Sequence, residues 1–96
     1  FIEADEALES GLVNHVYPDD QLIAKALELA TAVAFNPEWQ LSQIKRMMRD
    51  HQYNDNLDEV MDIESRFFSQ SQQTAAHKEF LTSFREKRSP DYHNLS

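Results

Sequence analysis

Ninety-six residues, 41% hydrophobic and 27% charged, fit one small soluble domain or part of a larger one. A net charge of −8 argues against nucleic acid and anionic membranes, which demand clustered Lys and Arg. With no cysteine there is no disulfide or thiolate nucleophile, and a single glycine, Gly11, leaves no glycine-rich phosphate loop.

A chain this short buries only about 60–65% of its unfolded surface, so alone it is marginally stable. The longest apolar run, Ala32 to Phe35, falls far short of the ~20 residues that span a bilayer. No signal-peptide pattern opens the chain, and a start at Phe1 leads us to expect a partial chain.

The first element is a short helical turn over residues 4–10, stopped by Gly11, the residue that most readily takes the left-handed conformation. Leu12 to Tyr17 is β-branched and apolar and ends at Pro18, which reads as a short strand or extended segment. A lone strand leaves its backbone groups unpaired, so we expect a preceding portion that carries the rest of a sheet.

Asp19 or Asp20 caps the next helix, which runs to about Phe35 with Leu22, Ile23, Ala26, Leu27, Ala30, Val33 and Ala34 on one face. Asn36 is expected as the N-cap of a third helix, with Pro37 in its first position and Glu38 at its positive end. That helix turns Leu41, Ile44, Met47 and Met48 inward and Lys45, Arg46 and Arg49 outward. A polar turn follows over 51–56.

The fourth helix runs over about 57–69, with a stripe of Leu57, Val60, Met61, Glu64, Phe67 and Phe68. Ser69 to Gln73, rich in Ser and Gln, is expected as a loop. Thr74 caps the last helix, 75 to about 87, anchored by Phe80 and Phe84, and Pro90 ends helical order.

Few side chains here suggest chemistry. Glu64 falls inside an apolar stripe, where an unpaired carboxylate is costly. We expect a structural carboxylate bonded to an arginine or an amide of a neighbouring helix, in preference to a general acid or base. His15, His51, His77 and His93 are scattered, none at metal-ligand spacing. Ser10 has no preceding glycine and is no nucleophile elbow. Lys45, Arg46 and Arg49 read as a solvated face that complements a helix C-terminus. Phe84 and Lys87, three apart, would share a helix face and cover an apolar chain beside an anionic group. Spacing alone equally describes a packed Phe beside a solvated Lys.

Several blocks together resemble the crotonase (enoyl-CoA hydratase/isomerase) superfamily. Ala4-Asp5-Glu6-Ala7-Leu8-Glu9-Ser10-Gly11-Leu12-Val13-Asn14 is similar to that family's A-x-E-A-x-x-x-G-L-V-N stretch. Pro37, Leu41 and Lys45 match its spaced P, L and K. Glu64 and Phe68 match its E-x-x-x-F segment. Glu79, Phe84, Glu86, Lys87 and Arg88 fall in register with its E-G-x-x-A-F-x-E-K-R ending. The sequence departs from it at Phe80, where glycine is common, and at Ser83, where alanine is. Isomerase branches often lack that glycine.

The resemblance implies a mainly α fold: a helical, trimerisation-type C-terminal bundle with one short extended segment near Leu12–Tyr17. Residues 1–18 would lead out of a spiral core, 19–90 would form the oligomerisation domain, and 91–96 a mobile tail. It implies a parent enzyme that acts on acyl-CoA thioesters through an enolate held in an oxyanion hole. Its catalytic residues would precede Phe1, so this segment is expected to hold none, to bind no metal and to be inactive alone. Coenzyme A would enter as part of the substrate, with no separate cofactor. The implied contact residues are Phe84 and Lys87, reaching the CoA site of a neighbouring subunit. A homotrimer or dimer of trimers is implied, without nucleic acid or membrane, in the cytoplasm or an organellar matrix. The competing expectation is a self-standing, non-catalytic helical interaction module.

Overall fold

Local signals place five helices. A computed structural model describes residues 1–95 as α1 (Ala4–Glu9), α2 (Asp19–Ala34), α3 (Glu38–His51), α4 (Leu57–Ser71) and α5 (Ala75–Glu86). The fold is helical, with no strand among the described residues. Two compact units are present, one over Phe1–Val33 and the other from Ala34 onward.

In the first unit, α1 ends where Gly11 takes φ +80°. The Gly11 N–H donates to the Leu8 carbonyl at 3.1 Å and the Leu12 N–H to the Ala7 carbonyl at 2.9 Å. This pair of bonds is the Schellman motif, which satisfies carbonyls that a helix end leaves open. The Val13 N–H also reaches the Ala7 carbonyl, at 3.3 Å. The 12–17 segment thus begins by closing α1 and carries no ladder. Asp19 and Asp20 lie within the first turn of α2, where their charge suits the helix dipole.

In the second unit, α3 begins one residue later than expected. Pro37 is the N-cap, with an extended ψ of 132°, and its side chain has no oxygen to accept a cap bond. The α4 N-cap is Asn56, whose side chain accepts from the Glu59 N–H at 3.1 Å. The expected loop from Ser69 starts only at Gln72. The Ser71 hydroxyl donates to the Phe68 carbonyl at 2.7 Å, so the serine stays within the helix, and no Gly or Pro breaks it. The α5 cap matches expectation: Thr74 Oγ1 accepts from the His77 N–H at 3.2 Å. The same hydroxyl donates to the Ser71 carbonyl at 2.7 Å and accepts from Gln40 Nε2 at 3.1 Å, tying α3, α4 and α5 at one point.

Burial is sparse. Ala7 and Ala76 are the buried apolar residues, and Ser83, 2% exposed, is the one fully enclosed side chain among the described residues. The chain exposes 8455 Å², where a self-contained globular protein of 11.2 kDa exposes about 5,700 Å². The helices therefore hold their form by caps and local bonds more than by a core.

Candidate functional site: the C-terminal turn of α5 and the open apolar faces

Helix α5 places His77, Phe80 and Phe84 in a ladder of rings, 6.3 Å and 6.5 Å between centroids. Phe84 is 77% exposed and Phe80 48%. Phe80, where the resemblance expects glycine, leaves about half of its surface exposed and sets its ring between those of His77 and Phe84. Ser83, where alanine is expected, is buried, and its hydroxyl donates to the Phe80 carbonyl at 2.9 Å. A buried serine that satisfies itself within its own helix leaves no orphan polar group.

The helix stops at Glu86. Lys87 is its C-cap with φ 56° and ψ 41°, the left-handed region. Its N–H donates to the Phe84 carbonyl at 3.3 Å, and the Arg88 N–H donates to the Ser83 carbonyl at 3.0 Å. This is the motif that closes α1, with lysine where α1 has glycine. A non-glycine residue in this region costs of order 1 kcal/mol. Because Lys87 has left the helix, the αL turn sets its place relative to Phe84, and the shared-face argument from helical spacing does not apply.

Arg88 locks that turn. Its Nη1 and Nη2 donate to the two carboxylate oxygens of Glu79, and its Nε donates to Glu86 Oε2 at 2.6 Å. The Asp91 N–H donates to Glu79 Oε1 at 2.9 Å. The Arg88 guanidinium, and after it the Asp91 amide, holds the Glu79 carboxyl below its usual range. Pairing with Glu79 and then Glu86 raises the already high pKa of Arg88. Asp91 is lowered chiefly by the Asn94 side chain, which donates to it at 2.7 Å. The Glu79–Arg88 pair eluded the sequence reading. Its signal was a basic Lys-Arg step at a helix end that has no glycine to close it.

Glu64 is exposed and has no hydrogen-bond or ionic partner among the described residues. The expected burial and bonding are therefore absent in this chain. The reason is that the stripe read on α4 is two faces. Val60, Ile63, Phe67 and Ser71 are half-buried and turn towards α3, while Leu57, Met61 and Phe68 are 68%, 56% and 66% exposed around Glu64. On α3, Gln40, Gln43, Met47 and His51 are half-buried, while Ile44 and Met48 are 52% and 71% exposed.

The α3–α4 pair consequently has two unlike sides. One is polar, with Arg46, Asp50, Glu59 and Arg66 around a depression of about 460 Å³. The other is an apolar depression of about 360 Å³, lined by Trp39, Ile44, Met47, Phe67 and Phe68 with Glu64 among them. The side-chain oxygens of Gln40 and Gln43, which line it, are buried without a donor. Helix α2 has no buried residue at all: Leu22, Ile23, Leu27 and Leu29 are each at least half exposed. No cluster of His, Asp or Glu able to hold a metal occurs among the described residues.

Comparison with known proteins gives a consistent picture. Residues 1–95 match the family model for enoyl-CoA hydratase/isomerase. The chain is 36% identical over 93 residues to an enoyl-CoA hydratase of Mycobacterium tuberculosis, covering 97% of this chain and 35% of that protein. It is 30% identical over 91 residues to a 1,2-epoxyphenylacetyl-CoA isomerase of Escherichia coli, covering 95% of this chain and 34% of that protein. A solved structure from Magnetospirillum magneticum, provisionally assigned as an enoyl-CoA hydratase/carnithine racemase, superposes with a TM-score of 0.87 at 29% identity. That superposition covers 97% of this chain and 36% of the other. The chain spans about a third of the length of the curated relatives it matches.

Proposed function

Since the chain belongs to the enoyl-CoA hydratase/isomerase family, we propose that it is the helical C-terminal segment of an enzyme acting on acyl-CoA thioesters. Its role there is to supply subunit contacts and one edge of the CoA site. The observation that carries this reading is the uncovered apolar surface. The chain exposes 8455 Å², an excess of about 2,800 Å² over a self-contained protein of its mass. Large apolar side chains stand exposed on α2 and on one side of the α3–α4 pair, and each of these faces needs a cover to be stable in water.

A core that precedes this segment and neighbouring copies of the same chain provide that cover, in a trimer or a dimer of trimers. The polar side of α3–α4 then faces solvent. Phe84 and Lys87 stand at the CoA-site edge: the exposed ring lies along an apolar part of the substrate and the ammonium meets an anionic part. Enolate stabilisation and proton transfer belong to residues outside the segment. Coenzyme A arrives with the substrate, and no other cofactor is needed. No helix among the described residues is long and apolar enough to cross a membrane. The reading places the enzyme in the cytoplasm or an organellar matrix.

The test compares the isolated 96-residue chain with the longer protein that carries it, using a short enoyl-CoA. The longer protein turns the thioester over and the 96-residue chain does not. Measurable turnover by the isolated chain would sink the assignment of chemistry to an outside core.

A further inference from the structure

We propose that Glu79 and Arg88 are positioning residues for Lys87, whose ammonium they aim at the anionic phosphates of an acyl-CoA. The proposal rests on the reading of Lys87 as a CoA-contact residue and adds how that contact is held in place.

Three observations carry it. First, a helix end of this type favours glycine at its left-handed position, and this chain uses glycine in that position at the end of α1. At the end of α5 the same two backbone bonds close the turn around Lys87 instead. Strain kept by a non-glycine residue must be held by its surroundings, and such residues cluster where a side chain has a task.

Second, the holding groups are present. One guanidinium joins the residue before Lys87, the residue after it and the body of α5. Arg88 itself supplies the group, Glu86 accepts from Nε, and both oxygens of Glu79, nine residues back along the chain, accept from the Nη atoms. The planar fork matches the carboxylate in two bonds, which fixes direction as well as distance. Glu79 is further fixed by the Asp91 N–H.

Third, the Lys87 ammonium has no carboxylate partner among the described residues, although Glu86 and Glu79 are close in sequence or space. Arg88 occupies both of those acids. The arrangement thus leaves an uncommitted cation on a residue whose backbone is set by the αL turn, three residues after the exposed Phe84.

The experiment measures kinetics of the longer protein with two thioesters of one acyl group, one on CoA and one on pantetheine, which lacks the phosphates. The variants are Lys87→Gly, Arg88→Gln, Arg88→Lys and the double variant Arg88→Gln with Lys87→Gly. Lys87→Gly raises KM for the CoA thioester about threefold to fivefold and leaves kcat and the pantetheine KM unchanged. Arg88→Gln does the same with Lys87 still present, and the double variant is no worse than Lys87→Gly alone. Arg88→Lys, which keeps the charge but loses the fork, supplies the same readout if Arg88→Gln folds poorly.

A rise in KM for Lys87→Gly with no rise for either Arg88 variant overturns the positioning role while the CoA contact stands. Additive effects in the double variant overturn it as well. An unchanged KM for Lys87→Gly removes the CoA contact itself, and the positioning role falls with it. A merely structural Arg88 would shift kcat and both thioesters together.

Discussion

Helices α1 and α5 end in the same two-bond turn, one around Gly11 at φ +80° and the other around Lys87 at φ 56°. At Gly11 the motif holds the residue it favours, and a Cβ built there meets nothing within 4 Å. The glycine is thus explained by backbone conformation alone. At Lys87 the motif holds a residue it disfavours, and a bidentate ion pair has been added beside it. One end of the chain uses the motif to stop a helix. The other stops a helix with a lysine in the same place, which under the proposal above also presents a cation. The difference teaches that a strained position with its own reinforcement points to the side chain it carries.

The comparison breaks most sharply at Gly11. Replacing Gly11 by Val puts a β-branched side chain in the left-handed region and is expected to cost about 2 kcal/mol, seen as a lower thermal midpoint. Crowding plays no part, because the space is open. Lys87→Gly runs the other way. It relieves the strain and is expected to leave stability unchanged or raise it by up to about 1 kcal/mol, while the KM for CoA thioesters worsens. A Lys87→Gly variant that lost stability would show that the lysine serves the fold and would remove the contrast with Gly11.

The smallest expected effect is a pH dependence of the α5 turn. Pairing with Arg88 depresses the Glu79 carboxyl in the folded chain. A depressed carboxyl stabilises the fold fully above its unfolded pKa of about 4.3 and loses that contribution as pH falls from there through the lower folded value. The groups facing Glu79 are Arg88, Lys78 and Asp91. Arg88, whose pKa is raised by its acid partners, stays charged across this window, and Asp91, also depressed, loses its charge in the same direction. Nuclear magnetic resonance of the Arg88 side-chain N–H groups should show the fork intact at about pH 6 and lost as pH falls through the depressed Glu79 value. In Glu79→Gln that transition should vanish.

Much of this was legible in the sequence, and the line between legible and hidden is physical. Thr74 and Gly11 act through their own neighbours, so residue type and position announced the cap and the stop. The ends of α3 and α4 slipped by one or two residues, because Pro37 serves as N-cap and Ser71 bonds back into its own helix. The apolar stripes were legible as stripes, but not as to what covers them. On α4 the pattern merged the half-buried Val60 and Phe67 with the exposed Met61 and Phe68. Periodicity reports that a face is apolar and cannot divide it between a partner within the chain and one outside it. Glu64 was drawn into an assumed interior for the same reason. The Glu79–Arg88 fork was hidden because it forms only once the chain leaves the helix at Lys87.

The open faces and the reinforced turn belong to one account: a segment whose apolar sides are completed by the rest of an assembly and whose last turn points back to the substrate. Oxidative footprinting of Met48 and Met61 tests its centre most directly. These side chains are 71% and 56% exposed in the chain by itself. The account predicts that both react readily in the isolated 96-residue chain and are strongly protected in the longer assembled protein. Equal oxidation rates in the two would contradict it, because the apolar faces would then stay open where they should be covered.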